Sequence, residues 1–472
     1  MKSKAILSNL GFVMQISGLF IIFPIIISFV LNETSATIAL FLAATGFLVL
    51  GFLLNALCER KELTFKQSCA LIVLVFFLLS LIGSIPYMYL NISNGDPIKI
   101  FTDSVFESAS GYTTTGFSVI SNLSNLPKSI VVYRSLTQFI GGLGIVLVLL
   151  AFFYPEAKLQ EFSRSMGFTK NHKIKRTFFM ILTIYIIFFV IMVVLGFISG
   201  YRDVINLVSF IFSALSTGGF APIADITNVV TQSPLGIFLI ISMILGAANF
   251  LVLAGLFKLR FKEFLKSEVI IFLIMAFISV AIVTIFFSYS LFDSTFHVVS
   301  AMSTTGFSYL NVYDFSGNLK LFLVFLMFVG GASFSTAGGI KIYRFLLIFK
   351  ATKKAVADSI TQRDTTVKLF GKEYTNAELI PALMMVILMA GIIFVSAAIV
   401  SSYGNNSPID SIFEVTSAMA TCGLSTGIVG PTLAIELKWL FVLLMILGRI
   451  EILAFFIMFS RAKEPKEVWS TK

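Results

Sequence analysis

Histidine and cysteine are nearly missing from this chain: two histidines and three cysteines in 472 residues. His172 and His297 leave zinc binding and histidine-based catalysis almost nothing to work with. Cys58, Cys69 and Cys422 supply neither a disulfide framework nor a metal-ligand spacing. No cofactor of the chain's own is expected. Charge is scarce too, at 12% of residues, where soluble domains carry about 25%. In its place stand repeated apolar runs of about 20 residues and a mean hydropathy of +0.97. These imply a helical integral membrane protein surrounded by lipid. A β-barrel is excluded, because the runs are continuous and do not alternate. The first run, from Gly11 to Leu31, is too long for a signal-peptide core and has no small-residue cleavage site after it. It reads as a retained span.

The net charge of +10 implies no nucleic-acid partner; it is a topology signal. Ten spans fit, at about 11–31, 36–57, 68–90, 130–153, 177–199, 234–257, 268–290, 319–349, 378–402 and 438–460. Of the 34 Lys and Arg, Lys99, Lys128, Arg134, Arg202, Lys320 and Lys438 then fall on one side and Arg449 inside a span. All the others share the opposite side, which the positive-inside rule makes cytoplasmic, with both termini. The longest polar connection, 350–376, reads as a docking surface for a partner or as a solvated loop.

The runs SASGYTTTGF at 108–117, SALSTGGF at 213–220, SAMSTTGF at 300–307 and SAMATCGL at 417–424 each lie between two spans. With Gly116, Gly219, Gly306 and Gly423 in register, further positions agree. Thirteen residues earlier stand Asp103, Asn206, Asp293 and Asp410; six earlier, Ser110, Ser213, Ser300 and Ser417. Two earlier stand Thr114, Thr217, Thr304 and Thr421, and one later Phe117, Phe220, Phe307 and Leu424. This is a fourfold internal repeat. The Asp or Asn is expected to cap a helix of about ten residues, or ~15 Å, half the ~30 Å hydrocarbon core. Each such helix enters from outside and stops near the midplane. The Thr-x-Gly-Phe run then returns as extended backbone, tolerated at that depth only when buried in protein or lining a water-filled path.

Each unit of span, half-helix, return loop and span crosses twice, so all four have one orientation. The expected fold is all-α, with four parallel repeats around one pseudo-fourfold axis and two additional N-terminal spans. The expected divisions are 1–64 for those two spans, then 65–155, 156–260, 261–350 and 351–472. Four return loops meeting at the axis make a ring of backbone carbonyls, the device that replaces the hydration shell of K⁺ in selectivity filters. Its walls are Thr114, Thr115 and Gly116; Thr217, Gly218 and Gly219; Thr304, Thr305 and Gly306; and Thr421, Cys422 and Gly423. The half-helices also point their partially negative C-terminal ends inward.

At these residues the chain resembles the Trk/Ktr/HKT superfamily of potassium transporters, over about residues 65–460. The two additional spans make it similar to the TrkH-type bacterial branch. The resemblance implies potassium ion as substrate, taken up across the bacterial inner membrane under the inside-negative potential. It also implies a homodimer with one pore per protomer and a cytoplasmic TrkA-like nucleotide-binding ring as regulator. In this superfamily a serine at the first filter glycine is associated with Na⁺ permeation. Gly116 occupies that position, which implies K⁺ preference. Cys422 would act through its carbonyl, without thiol chemistry.

The stretch GGASFSTAGGIK at 330–341 holds Gly330, Gly331, Ser333, Ser335, Thr336, Gly338 and Gly339, a poor helix composition. Family resemblance makes it an intramembrane gate beneath the filter; small residues could equally form a close packing face. The family has more glycine here, where this chain has Phe334 and Ala337. Arg449 lies inside the last span, where charge is costly. The resemblance makes it a positive element in the ion path; the alternative is an arginine snorkelling to the interface. Glu451, two residues on, faces another side of the helix. Glu107, His297 and Glu414 share one place in half-helices one, three and four, as filter supports or as added charge near the mouth. One rival is a Na⁺-permeable, or a Na⁺- or H⁺-coupled symport, member of the superfamily. Another is an intramembrane enzyme, which would need a nucleophile–base pair and gives no reason for a fourfold repeat.

Overall fold

The computed structural model describes residues 2–58, 63–93, 95–148, 174–256, 261–265, 267–361, 367–369, 372–374, 376–404 and 406–459. Of the basic connections, 59–62, 154–173 and the tail from Arg461 lie outside them. The described chain is almost wholly helical. Its one sheet is a hairpin pairing Val367–Leu369 with Lys372–Tyr374, inside the 350–376 connection. Among the described residues six helices are long and apolar enough to cross a membrane: Lys4–Val30, Thr34–Leu57, Lys66–Tyr89, Phe179–Ile198, Glu268–Phe287 and Leu379–Gly404. They match expected spans one, two, three, five, seven and nine. Their outward faces carry bare apolar side chains such as Phe277, Phe286 and Phe394, which suits a lipid solvent.

Of the other four expected spans, three are broken and one carries buried polar side chains. The fourth is Lys128–Val148, with Arg134 and Gln138 buried on it. The sixth breaks into Leu235–Ala247 and Phe250–Leu256 with a bend of 109°. Asn249 makes the corner: its Oδ1 accepts from Leu251 and Val252 N–H, which caps the second segment, and its Nδ2 donates to Glu268 at 2.8 Å. The eighth is Gly317–Val329, an irregular stretch at 330–341, then Ile342–Thr361. The tenth breaks into Ile435–Ile450 and Ile452–Phe459 with a bend of 94° at Glu451, whose φ is +63°. Arg449 is therefore one residue from a helix end, and the continuous last span expected from hydropathy is corrected.

The four short helices are present as Pro97–Tyr112, Val204–Leu215, Leu291–Met302 and Pro408–Met419. Their cap expectation is corrected. In the last three the N-cap lies three residues earlier, at Asp203, Ser290 and Ser407; the first begins at Asp96 with Pro97 in its first turn. Asn206, Asp293 and Asp410 occupy the third helical position, and Asp103 is buried further inside. Two of these acids serve neighbouring spans instead. Lys320 Nζ meets Asp410 at 2.7 Å, and Lys438 Nζ meets Asp103 at 2.5 Å with both side chains buried.

The first two spans pack closely through Gly11 and Gly51, where an added Cβ on either would overlap backbone of the other. Glu33, at their junction, accepts from Lys128 N–H, Ser129 N–H and the Ser129 hydroxyl. A residue of the N-terminal pair thus caps the fourth span.

Candidate functional site

All four short helices end in the same way. Thr114, Thr217, Thr304 and Thr421 take φ of +55°, +52°, +53° and +50°. A β-branched residue in the left-handed region costs about 1 kcal/mol or more. The strain is offset by a pair of closing hydrogen bonds. Thr114 N–H donates to Gly111 O and Thr115 N–H to Ser110 O; the pairs at Ala214 and Ser213, Ala301 and Ser300, and Ala418 and Ser417 repeat this geometry. Four chemically different segments thereby turn away from the helix axis identically. Of the four threonine hydroxyls, those of Thr114 and Thr421 are buried without a hydrogen-bond partner.

Two residues on, Gly116, Gly219, Gly306 and Gly423 have φ between +76° and +89°. An added Cβ would overlap one carbonyl oxygen at each: Gly218 O at Gly116, Thr305 O at Gly219, Cys422 O at Gly306 and Thr115 O at Gly423. The contacts run from repeat one to two, two to three, three to four and four back to one. They describe a closed ring of four walls, each glycine lying against the preceding-residue carbonyl of its neighbour. The four glycines are partly accessible while the residues before and after them are buried. Only glycine permits this separation of walls at this φ.

The supports behind the walls are specific. Nine residues before the glycine and two after it, three repeats place a polar pair. Glu414 accepts from Ser425 Oγ, Thr426 N–H and hydroxyl, and Val429 N–H. Glu107 accepts from Ser118 Oγ and Val119 N–H, and pairs with Arg134 at 2.6 Å. His297 Nε2 lies 3.1 Å from Ser308 Oγ. Each strut spans from half-helix to return loop. Repeat two has Phe210 and Ala221 at these positions and no such pair.

Beneath the ring lies the 330–341 stretch. Ala332 and Thr336 N–H donate to Ala247 and Gly246 O, and Phe250 N–H donates to Phe334 O. Gly338 N–H donates to Thr304 Oγ1 at 2.6 Å. An added Cβ at Gly338 would overlap Ala420 O and Thr421 Oγ1. Thr336, itself in repeat three, touches the other three: its hydroxyl reaches Leu215 O and Gly246 O, its methyl lies over Gly142, and its carbonyl accepts from Arg449 Nη1 at 2.8 Å. A residue in contact with every quarter of a ring lies at its axis. Gly330 and Gly339 hold the two limbs of the stretch together with φ of +72° and +75°. Gly331 packs on Ala247 and Ala337, Ser333 faces Glu268, and Ser335 Oγ donates to Ala332 O. Arg449 Nη2 donates to Gly141 O at 2.9 Å, so its guanidinium bridges repeats one and three from repeat four. Glu451 pairs with Arg344 at 2.6 Å instead of with Arg449.

The sequence matches the TrkH description, cation transport protein, over residues 34–267 and 259–471. The chain belongs to the TrkH family of cation transport proteins. It is 31% identical to an uncharacterized cation transporter of Methanocaldococcus jannaschii, over 97% of this chain and 95% of that one. It is 26% identical to the Trk system potassium uptake protein TrkH of Halomonas elongata, over 98% and 99% of the two chains. The crystal structure of the potassium transporter TrkH from Vibrio parahaemolyticus has the same fold, with a TM-score of 0.83 at 22% identity, over 98% of this chain and 99% of that one.

This TrkH-family chain is thus a multi-pass membrane protein of cation transport. Sequence reasoning offered Glu107, His297 and Glu414 as supports of the walls but missed two others, Arg134 and Gln138. Arg134 was read only as an outer-side charge, and Gln138 was passed over. Polar residues four apart in an otherwise apolar span were the available signal.

Proposed function

We propose that this chain takes up potassium across the bacterial inner membrane, through the ring built by residues 114–116, 217–219, 304–306 and 421–423. The observation that supports this reading is the closed cycle of glycine-to-carbonyl contacts, which joins the four walls into one ring. Four half-helices ending beneath it add partial negative charge, which favours a cation there. The relatives named as potassium uptake proteins supply the ion. The inside-negative potential drives entry, worth about 2.3 kcal/mol per charge per 100 mV. Residues 330–341 and Arg449 form the gate below the ring, a reading supported by the hydrogen bond from Arg449 to Thr336 O. Opening requires the Thr336–Arg449 contact to part. The functional units are the repeats 65–155, 156–260, 261–350 and 351–472. Both termini lie in the cytoplasm, the protein is a homodimer, and a TrkA-like nucleotide-binding ring acts on the gate from that side.

The test is cation flux into liposomes under an imposed inside-negative potential, with K⁺ and Rb⁺ against Na⁺ and Li⁺, for the wild type and Gly116→Ser. A serine Cβ at a φ of +89° would meet Gly218 O and force wall two outward. Uptake selective for K⁺ and Rb⁺ that the substitution relaxes is the expected result. Equal Na⁺ flux in the wild type would overturn the selectivity reading.

A further inference from the structure

Wall two is braced from outside, and its brace touches a ring carbonyl. Gly218, one residue before the ring glycine, has no side chain; the other walls have Thr115, Thr305 and Cys422 at that place. Thr115 and Thr305 hydroxyls turn back onto Thr113 and Ser303, at 2.8 and 2.7 Å. In wall two the vacant volume is filled by Gln138, from the second span of repeat one. An added Cβ on Gly218 would overlap its Cδ. The Gln138 side chain is fully buried. Its Oε1 accepts from Ser213 Oγ at 2.6 Å and from Phe220 N–H at 3.3 Å. Those two bonds fix the amide so that Nε2 donates to Gly218 O at 2.6 Å. Among the described residues, none of the other three ring carbonyls, Thr115 O, Thr305 O and Cys422 O, accepts a hydrogen bond.

One helical turn earlier, Arg134 works on the same wall. Its Nη1 donates to Ala221 O, and its guanidinium lies 4.1 Å from the centroid of the Phe220 ring. Spacing of four puts Arg134 and Gln138 on one helix face. Both compensate for the polar strut that repeat two lacks.

We infer that Gln138 is a specificity-determining positioning residue: by holding Gly218 O and the wall behind it, it sets the width of the ring on the repeat-two side. The inference rests on the reading of the ring as the potassium filter. A carbonyl held at fixed distance cannot close on a smaller ion, so the tether disfavours Na⁺ relative to K⁺. Releasing it lets wall two adjust inward. Loss of one buried hydrogen bond corresponds to about a tenfold change in an equilibrium ratio.

Two variants test this. Gln138→Glu keeps an acceptor for Ser213 and Phe220 but removes the donor to Gly218 O. Gln138→Met keeps length and removes every polar contact. For each, Na⁺ and K⁺ uptake into liposomes is compared with the wild type. The concentrations of NaCl and KCl that half-maximally protect the purified protein from thermal unfolding are measured alongside, which reads selectivity even in a variant too slow to transport. The expected result is a Na⁺:K⁺ ratio raised about tenfold in both variants by at least one readout. A ratio unchanged in both readouts, for variants as well folded as the wild type, overturns the role of Gln138 and leaves the filter standing. A wild type that does not itself prefer K⁺ overturns the filter reading underneath.

Discussion

Arg449 carries a charge that the bilayer interior would reject, yet it is buried and takes no carboxylate partner among the described residues. Two backbone carbonyls, Thr336 O and Gly141 O, share its guanidinium. Gly141, Gly246 and Gly448 each pack on the carbonyl four residues before a ring glycine, and the residues that follow them are Gly142, Ala247 and Arg449. Where repeats one and two are small, the fourth fills the space with a cation. On the proposed reading the same residue ties the loop shut and repels an incoming ion. Two unit charges about 6 Å apart at an effective dielectric of about 20 interact by about 2.8 kcal/mol. Arg449→Ala is expected to raise basal K⁺ flux in liposomes by about tenfold or more, without a change in K⁺ over Na⁺ preference. Flux and regulation both equal to those of the wild type would remove Arg449 from the ion path. Glu414 is a residue of the opposite kind, with its oxygens spent on Ser425, Thr426 and Val429 and none directed at an ion. It is a brace for wall four, which decides between the two roles its position allowed.

On the proposed reading the element that governs flux is the irregular stretch at 330–341, and its tightest point is Gly338. With Ala420 O and Thr421 Oγ1 against its Cα, even one methyl group displaces the loop from the end of the fourth half-helix. Gly338→Ala is expected to raise basal K⁺ uptake several-fold, because the added methyl drives the loop away from Ala420 O and Thr421 Oγ1. Flux unchanged from the wild type would mean that the loop does not limit it. This stretch was legible in the sequence, since four glycines in ten positions defeat a helix wherever they stand. The return loops were legible for a related reason: Thr-x-Gly-Phe repeated four times between apolar runs has no use in a continuous span. The corners at Asn249 and Glu451 were not. Both lie in runs whose hydropathy is that of a straight span. The bends depend on partners distant in the chain: Phe334 O for Phe250 N–H at the first, Arg344 for the carboxylate at the second. The misplaced caps follow the same logic. Aligned acids were read as local helix starts, whereas Asp103 and Asp410 answer lysines from spans of the preceding repeat around the ring, a relation that only the packed repeats create.

A ring made from one chain has three seams spanned by the chain itself and one that must close without a covalent link, between repeats four and one. That seam is where the most deeply buried ion pair lies. Lys438 and Asp103 meet at 2.5 Å with side-chain exposures of 1% and 0%. Phe441 packs edge-on against Phe117 beside it, and Trp439 meets Phe101. The related pair at the seam of repeats three and four, Lys320 with Asp410, is more accessible and is backed by chain continuity. Removing one partner of a buried pair typically costs about 3–5 kcal/mol, because the other charge is left in a low-dielectric site. Lys438→Met is thus expected to lower the thermal unfolding midpoint in detergent more than Lys320→Met does. Asp103→Asn placed in the Lys438→Met background should recover much of the loss, since it removes the stranded charge. Selectivity follows stability here, because Gly423 lies against Thr115 O across this same seam. A Lys438→Met protein that still transports should therefore admit Na⁺ more readily than the wild type. If Lys320→Met proves the more damaging substitution, closure of the ring does not depend on the buried pair, and the aromatic contacts carry the seam.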